Sequence, residues 1–347
     1  MKLAPATRIA AAALAMAVAI SAAVAQPQSR TPRAAKPPAG AVEGVDADSV
    51  FAAVVKVTAH AIPGARSSAT LGSDREGTGI VIGDNGLILT IGYLIVEADD
   101  VSVVDAKGRS LAARVVGYDH ATGFGLVRTI APLDAKPVAL GESAKVTPRD
   151  PVMIASSGDD TISFAYVVSK RAFSGNWEYA LDEALYTSPP MMSWSGAGLF
   201  DRNGKLLGVG SLIVREANDD EPKIPGNMFV PIDLLKPILA DLVASGRRKG
   251  ATRPWLGIAA DEVAGRLVVA RVSPDGPADR AGIARGDIIL AVGSDTVRTQ
   301  ADFYRKVWSR GGAGDIIPLK LLQGADVKEV PVASIDRTDY FKRPTTY

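Results

Sequence analysis

Ser193-Trp194-Ser195-Gly196-Ala197-Gly198-Leu199-Phe200-Asp201-Arg202-Asn203-Gly204 is the stretch that decides the fold. Its first half is a tight turn, with one hydroxyl set among small residues. Its second half enters a hairpin. Gly198-Leu199-Phe200 and Leu206 to Leu212 flank the turn formers Asp201 to Gly204. Two hairpins of the same kind lie upstream. Ile80-Val81-Ile82 and Leu87 to Thr90 flank Gly83-Asp84-Asn85-Gly86, and Val101 to Val104 and Leu111 to Val116 flank Asp105-Ala106-Lys107-Gly108. Short strands with turn residues every ~8–12 positions predict a barrel or sandwich rather than βαβ units. The rhythm breaks at Pro231 to Ser245. There Ile232, Leu235, Ile238, Leu239 and Leu242 have the spacing of one amphipathic helix, with Pro237 in its first turns.

Working outward, the chain divides into segments. Lys2 and Arg8 precede an apolar run from Ile9 to Ala23, and Ala23-Val24-Ala25 has the form of a cleavage site. Residues 1–25 therefore read as a secretory signal peptide, too short for a membrane span, and predict a periplasmic protein with no stable span after cleavage. Residues 26–45, with Pro27, Pro32, Pro37 and Pro38, read as an extended linker. A short helix is expected near Asp46, capped by Asp48 or Ser49. The main β unit is expected over 46–247, a basic flexible linker over 248–253, a second unit over 254–337 and a loose tail over 338–347. The second unit shows strands at Leu267 to Val272, Ile288 to Val292 and Ile317 to Leu322, and a helix from Gln300 to Ser309.

Lys and Arg number 39 against 38 Asp and Glu, a balance that argues against broad capture of nucleic acid or anionic membrane. The absence of cysteine leaves no disulfide, thiol nucleophile or cysteine metal site. Only two histidines, His60 and His120, are present, so a multi-histidine metal centre is not expected and no cofactor is implied.

The order of these pieces resembles the HtrA family of envelope serine proteases. Gly77-Thr78-Gly79-Ile80-Val81-Ile82 is similar to the family's Gly-rich strand before its histidine. Gly117 to Val127 is similar to its aspartate segment, and Asn227-Met228-Phe229-Val230-Pro231 to a strand lining its substrate cleft. In the second unit Trp255-Leu256-Gly257-Ile258 looks like the carboxylate-binding loop of a PDZ domain. Ser273 to Ile283, followed by Gly286-Asp287-Ile288-Ile289, matches the most recognisable stretch of bacterial PDZ domains. The resemblance runs from about Val50 to Ile335. It implies a mainly β protein: a trypsin-like double barrel, two six-stranded barrels, followed by a PDZ domain.

Carried over residue by residue, the resemblance places Ser195 at the nucleophile position, Tyr93 at the histidine and Gly123 at the aspartate. The family's Gly-Asn-Ser-Gly-Gly-Pro turn has Ser193 at its first Gly and Trp194 at its Asn, in the oxyanion-hole region. Serine needs a neighbouring base to become a nucleophile. A phenol with a pKa near 10 is about one part in a thousand ionised at pH 7. Losing the base of such a triad costs on the order of a million-fold in turnover. His120 is expected to be solvated and His60 structural. Tyr93 is expected to fill the space left at Gly123, and Ser193 to resist the backbone conformation that glycine allows. Trp194 could plug the specificity pocket or pack beneath the turn.

The expected function is thus that of a catalytically degenerate, HtrA-like pseudoprotease. It would bind unfolded or C-terminal peptide segments as a chaperone, adaptor or regulator, as a homotrimer or with an active relative. In the PDZ unit, Trp255, Leu256, Gly257 and Ile258 would cradle a peptide carboxylate, and Phe303 and Val307, spaced i,i+4, would wall an apolar pocket or belong to the core. The competing readings are a serine endopeptidase using Ser195 with an unusual or supplied base, and a purely structural protein with no peptide affinity.

Overall fold

A computed structural model describes residues 47–158, 161–175 and 179–342. The expected signal peptide and Pro-rich linker, and the last five residues of the tail, lie outside that range. After helix α1 (Ala47–Ala52) come β1 (Val54–Ala61), α2 (Ser68–Leu71), β2 (Asp74–Gly83), β3 (Leu87–Ile91), β4 (Ala98–Val104), β5 (Ser110–Tyr118) and β6 (Phe124–Thr129). They close into a barrel in the order β1-β2-β3-β6-β5-β4. A second barrel follows: β7 (Pro151–Ala155), β8 (Ile162–Gly175), β9 (Tyr179–Ser188), β10 (Gly198–Phe200), β11 (Leu206–Val214) and β12 (Gly226–Pro231). Its order, β7-β8-β9-β12-β11-β10, repeats the first.

The three hairpins legible in the sequence pair as expected. β3 and β12 are buried at every position, so neither alternates in polarity. Both faces of these strands are covered because one apolar cluster runs from the first barrel into the second through Ile88, Leu89, Phe124, Phe200 and Val230. That seam is where the candidate site lies.

Two local expectations change. Asp48 and Ser49 sit inside α1 rather than at its cap. The helix expected over 231–245 is split: a 3-10 turn at Ile232–Leu234 precedes α3 (Leu239–Ser245). Pro237 lies between them, where it has no N–H to give to a continuous helix.

The second unit is a sheet of β13 (Ile258–Val263), β14 (Arg266–Val272), β15 (Ile288–Val292), β17 (Ile316–Gln323) and β18 (Asp326–Ala333) in that order, with short β16 (Asp295–Thr296) beside β15. Helices α4 (Pro277–Arg280) and α5 (Gln300–Trp308) cover it, and Thr299 caps α5 by accepting from Asp302 N.

The tail is not loose where it is described. Helix α6 (Arg337–Tyr340) leads to a strap that touches both units. The Tyr340 hydroxyl donates to the Pro274 carbonyl (2.9 Å), Phe341 stacks on His120 (5.6 Å between centroids) and Lys342 N donates to Glu97 Oε1 (2.8 Å). The basic linker is pinned as well. Arg248 donates from Nε and a terminal nitrogen to the two carboxylate oxygens of buried Asp119 (3.1 and 2.8 Å).

Candidate functional site

The turn at Ser195 is held from both barrels. Asn227 on β12 is fully buried; its amide oxygen accepts from Met191 N (2.6 Å) and its NH2 donates to Met191 O (3.0 Å). Gly196 N donates to Gly210 O (2.9 Å), and Thr78 N on β2 donates to Ser195 O (2.8 Å). A Cβ at Gly196 would collide with the Thr78 carbonyl oxygen, so glycine is required there. Ser193 packs on Gly158, where a Cβ would run into its hydroxyl. Ser193 does not adopt the left-handed backbone. Among the described residues the non-glycine positions with that φ are Glu97, Arg149, Ala264 and Asp275, so the expected strain at Ser193 is not present.

The Ser195 hydroxyl is buried and has no hydrogen-bond partner among the described residues. Its oxygen lies against Gly77, 3.0 Å from where a Cβ would stand. The neighbouring phenol of Tyr93 donates to the Ser211 carbonyl (3.0 Å). Burial pushes the Tyr93 phenol up to about 12, with Ser195 and Trp194 acting in the opposite direction. The phenol is therefore neutral at pH 7. The N–H groups of Ser193 and Ser195 donate to no described residue, as an unfilled oxyanion hole would require. A cleft of about 370 Å³ opens beside them, lined by Lys56, Glu76, Ser157, Met192 and Trp194 among others, and Met192 is exposed. Trp194 is half-buried at its wall.

Neither imidazole reaches this turn. His60, on β1, pairs with Asp74 (2.7 Å) at the surface, as a structural residue. His120 is not solvated. It lies between Tyr118 (4.1 Å) and Phe341, and burial, with Arg337 nearby, holds its pKa well below the usual imidazole range.

Gly123 has φ +83°, and the nearest atoms to a Cβ there belong to Ile91 (3.7 Å) and Tyr179 (3.9 Å), not to Tyr93. The space expected for Tyr93 is filled by Tyr179, whose hydroxyl bonds the Ser211 hydroxyl (2.9 Å). Tyr179 is a site residue that the sequence reading missed. Asn227, on the strand similar to a cleft strand, holds the Ser195 turn through Met191. Its one signal was a polar residue at the head of an apolar strand.

In the second unit the loop Trp255-Leu256-Gly257-Ile258 leads into β13, an edge strand bonded only to β14. Gly257 takes φ +77°, and the N–H groups of Leu256 and Gly257 donate to no described residue. The side chains of Leu256 and Ile258 are core, and Trp255 is buried against Tyr340 (4.6 Å). Phe303 and Val307 are 1% and 2% exposed and belong to that core, so they are not open groove walls. The helix side chain that reaches the edge strand is Gln300. Its Nε2 donates to Ala260 O (2.8 Å), while its Oε1 accepts from Ser174 of β8 (2.8 Å). Among the described residues no group of three or more His, Asp or Glu is placed to hold a metal.

A family model for the trypsin-like peptidase domain matches residues 77–209, and one for the PDZ domain matches 254–333. The chain thus joins a segment similar to the trypsin-like peptidase domain to one similar to the PDZ domain, and is homologous to DegP-like proteins. A DegP-like protein of Brucella suis, named a probable periplasmic serine endoprotease, is 27% identical over 250 residues, 67% of this chain and 47% of its own. One of Halomonas elongata with the same name is 26% identical over 282 residues, 76% of this chain and 57% of its own. The chain spans about half the length of the curated relatives it matches. The solved HtrA-type protease AlgW with a tripeptide superimposes with a TM-score of 0.51 at 19% identity, covering 86% of this chain and 96% of that one, a likeness of fold alone.

Proposed function

We propose that this HtrA-type chain is a peptide-binding protein of the periplasm whose trypsin-like domain does not hydrolyse its ligands. The observation that carries the reading is the Ser195 hydroxyl, buried and without a partner among the described residues, while both imidazoles of the chain lie elsewhere, His60 paired with Asp74 and His120 stacked on Phe341. With Tyr93 and Gly123 at the positions of base and carboxylate, nothing beside Ser195 takes its proton. Peptide binding is supported by the unengaged N–H groups of Leu256 and Gly257 beside an edge strand, the elements by which a peptide C-terminus adds to a sheet. The leader over residues 1–25 and the periplasmic names of the relatives support export.

A second reading is favoured by a specific pair of observations. The relatives are named as serine endoproteases, and the N–H groups of Ser193 and Ser195 remain open beside a cleft. It makes Ser195 a working nucleophile whose base is supplied by rearrangement or by a partner. Incubation of the full chain with an unfolded protein separates the two. No turnover, with saturable binding of C-terminal peptides, fits the first reading. Turnover abolished by Ser195→Ala establishes the second.

A further inference from the structure

A pocket of about 140 Å³ lies between the corner joining β5 to β6, the basic linker, and the entry and exit of the second unit. Its ionisable walls are unequal. Arg247, Arg248, Arg253 and Arg337 face two carboxylates, Asp119 and Asp336, which leaves two positive charges in excess. Both carboxylates are already engaged. Asp119 accepts from Arg248 and from Thr122 N and Oγ1, and Asp336 caps α6 by accepting from Thr338 N (2.9 Å) and its hydroxyl.

What the pocket lacks is acceptors. Arg247 and Arg253 have no carboxylate partner among the described residues. Arg253 lays its guanidinium over the Trp308 ring (4.2 Å), so its N–H edge stays free to donate. The indole N–H of Trp255, a residue 5% exposed, is buried with no acceptor among the described residues. His120 Nδ1 is buried and has no partner among the described residues either. A buried donor left unpaired costs about 1–3 kcal/mol, so such a cluster is unusual unless something completes it. A guanidinium fork matches two oxygens of one group, and an added oxyanion would satisfy both the charge excess and the missing acceptors.

We propose that this pocket binds a compact oxyanion, a phosphate or carboxylate group, held by Arg247 and Arg253 with Trp255 and His120 beside it. The volume accommodates a tetrahedral oxyanion with hydration water. Because its walls come from the first barrel, the linker and the second unit, the bound anion ties the three together. The proposal is independent of whether Ser195 is active and of whether the PDZ loop binds peptides.

The chain has two histidines, so the imidazole NMR signals of the whole chain report the site directly, with exposed His60 as internal reference. Sodium phosphate and sodium acetate are titrated separately at constant ionic strength maintained with chloride. A saturable shift of the His120 signals, absent at His60 and absent with chloride alone, is expected. Arg247 and Arg253 are both exposed, so Arg247→Ala and Arg253→Ala leave the fold intact and each weaken binding about tenfold. Saturation by phosphate only assigns a tetrahedral ligand, and saturation by acetate a carboxylate. No saturable response to either anion, a response equal with chloride, or one unchanged in both variants overturns the proposal.

Discussion

The phenol of Tyr93 donates to the main-chain carbonyl of Ser211 at 3.0 Å, and the hydroxyl of the same serine bonds Tyr179 at 2.9 Å. Two aromatic rings from different barrels thus converge on one residue of β11, next to the buried hydroxyl of Ser195. The arrangement is a neutral hydrogen-bonded core.

Alkali is expected to open that core. Burial raises the phenols of Tyr93, to about 12, and of Tyr179 and Tyr118 above their ordinary value of 10.0. The folded state therefore favours the protonated phenol. Its stabilising effect is complete below pH 10 and is lost as pH climbs towards 12. For Tyr93 alone the loss is about 2–3 kcal/mol. Denaturant melts at rising pH should show it, with a smaller alkaline loss in Tyr93→Phe.

Placing a carboxylate at position 123 is expected to destabilise the fold without producing proteolysis. The space would admit a side chain, with its nearest neighbours 3.7 Å away, but φ of +83° is a glycine conformation. Gly123→Asp should cost about 1–2 kcal/mol in backbone strain. Tyr93→His with Gly123→Asp should then yield a less stable protein without proteolysis. Recovered cleavage in that double variant would show that the backbone at 123 adapts.

Peptide affinity is expected to rise when Gln300 is shortened. Its Nε2 occupies the Ala260 carbonyl on the edge strand, an acceptor that an added peptide strand would use. Gln300→Ala removes that competitor and should tighten binding of C-terminal peptides by roughly fivefold, the scale of one modest hydrogen bond. Fluorescence anisotropy on the full chain measures it. Unchanged affinity would mean that peptides do not pair at Ala260.

Acid should loosen the strap. Burial of Glu97 favours its neutral form, but hydrogen bonds from the Ser67 hydroxyl and N–H, Lys342 N and Arg66 N outweigh that and hold its pKa below the usual carboxylate range. Its contribution is present above the unfolded value of 4.5 and disappears as pH falls through the lower folded value. Protection of Lys342 N from hydrogen exchange, referenced to the intrinsic rate at each pH, should fall at low pH, and at neutral pH in Glu97→Gln.

Hairpins and barrels were legible because turn residues and alternating apolar strands are local signals. The loop at Gly257 was legible for the same reason. Phe303 and Val307 had a spacing that core and groove share, and only packing on the sheet decided between them. Tyr179 was invisible because it reaches the space beside Gly123 from another barrel. His120 looked exposed because the ring that covers it, Phe341, comes from a segment whose composition resembles a free end. The apolar stripe from Ile232 to Leu242 reads as one helix with Pro237 in its first turns, and only the structure shows that the stripe is split there.

The bond from Lys342 to Glu97 joins positions 245 apart in sequence and closes most of the polypeptide into a ring. Barrels and terminal unit consequently share one perimeter and are not beads on a string. Calorimetry should record a single endotherm, and trimming the last few described residues should split it in two.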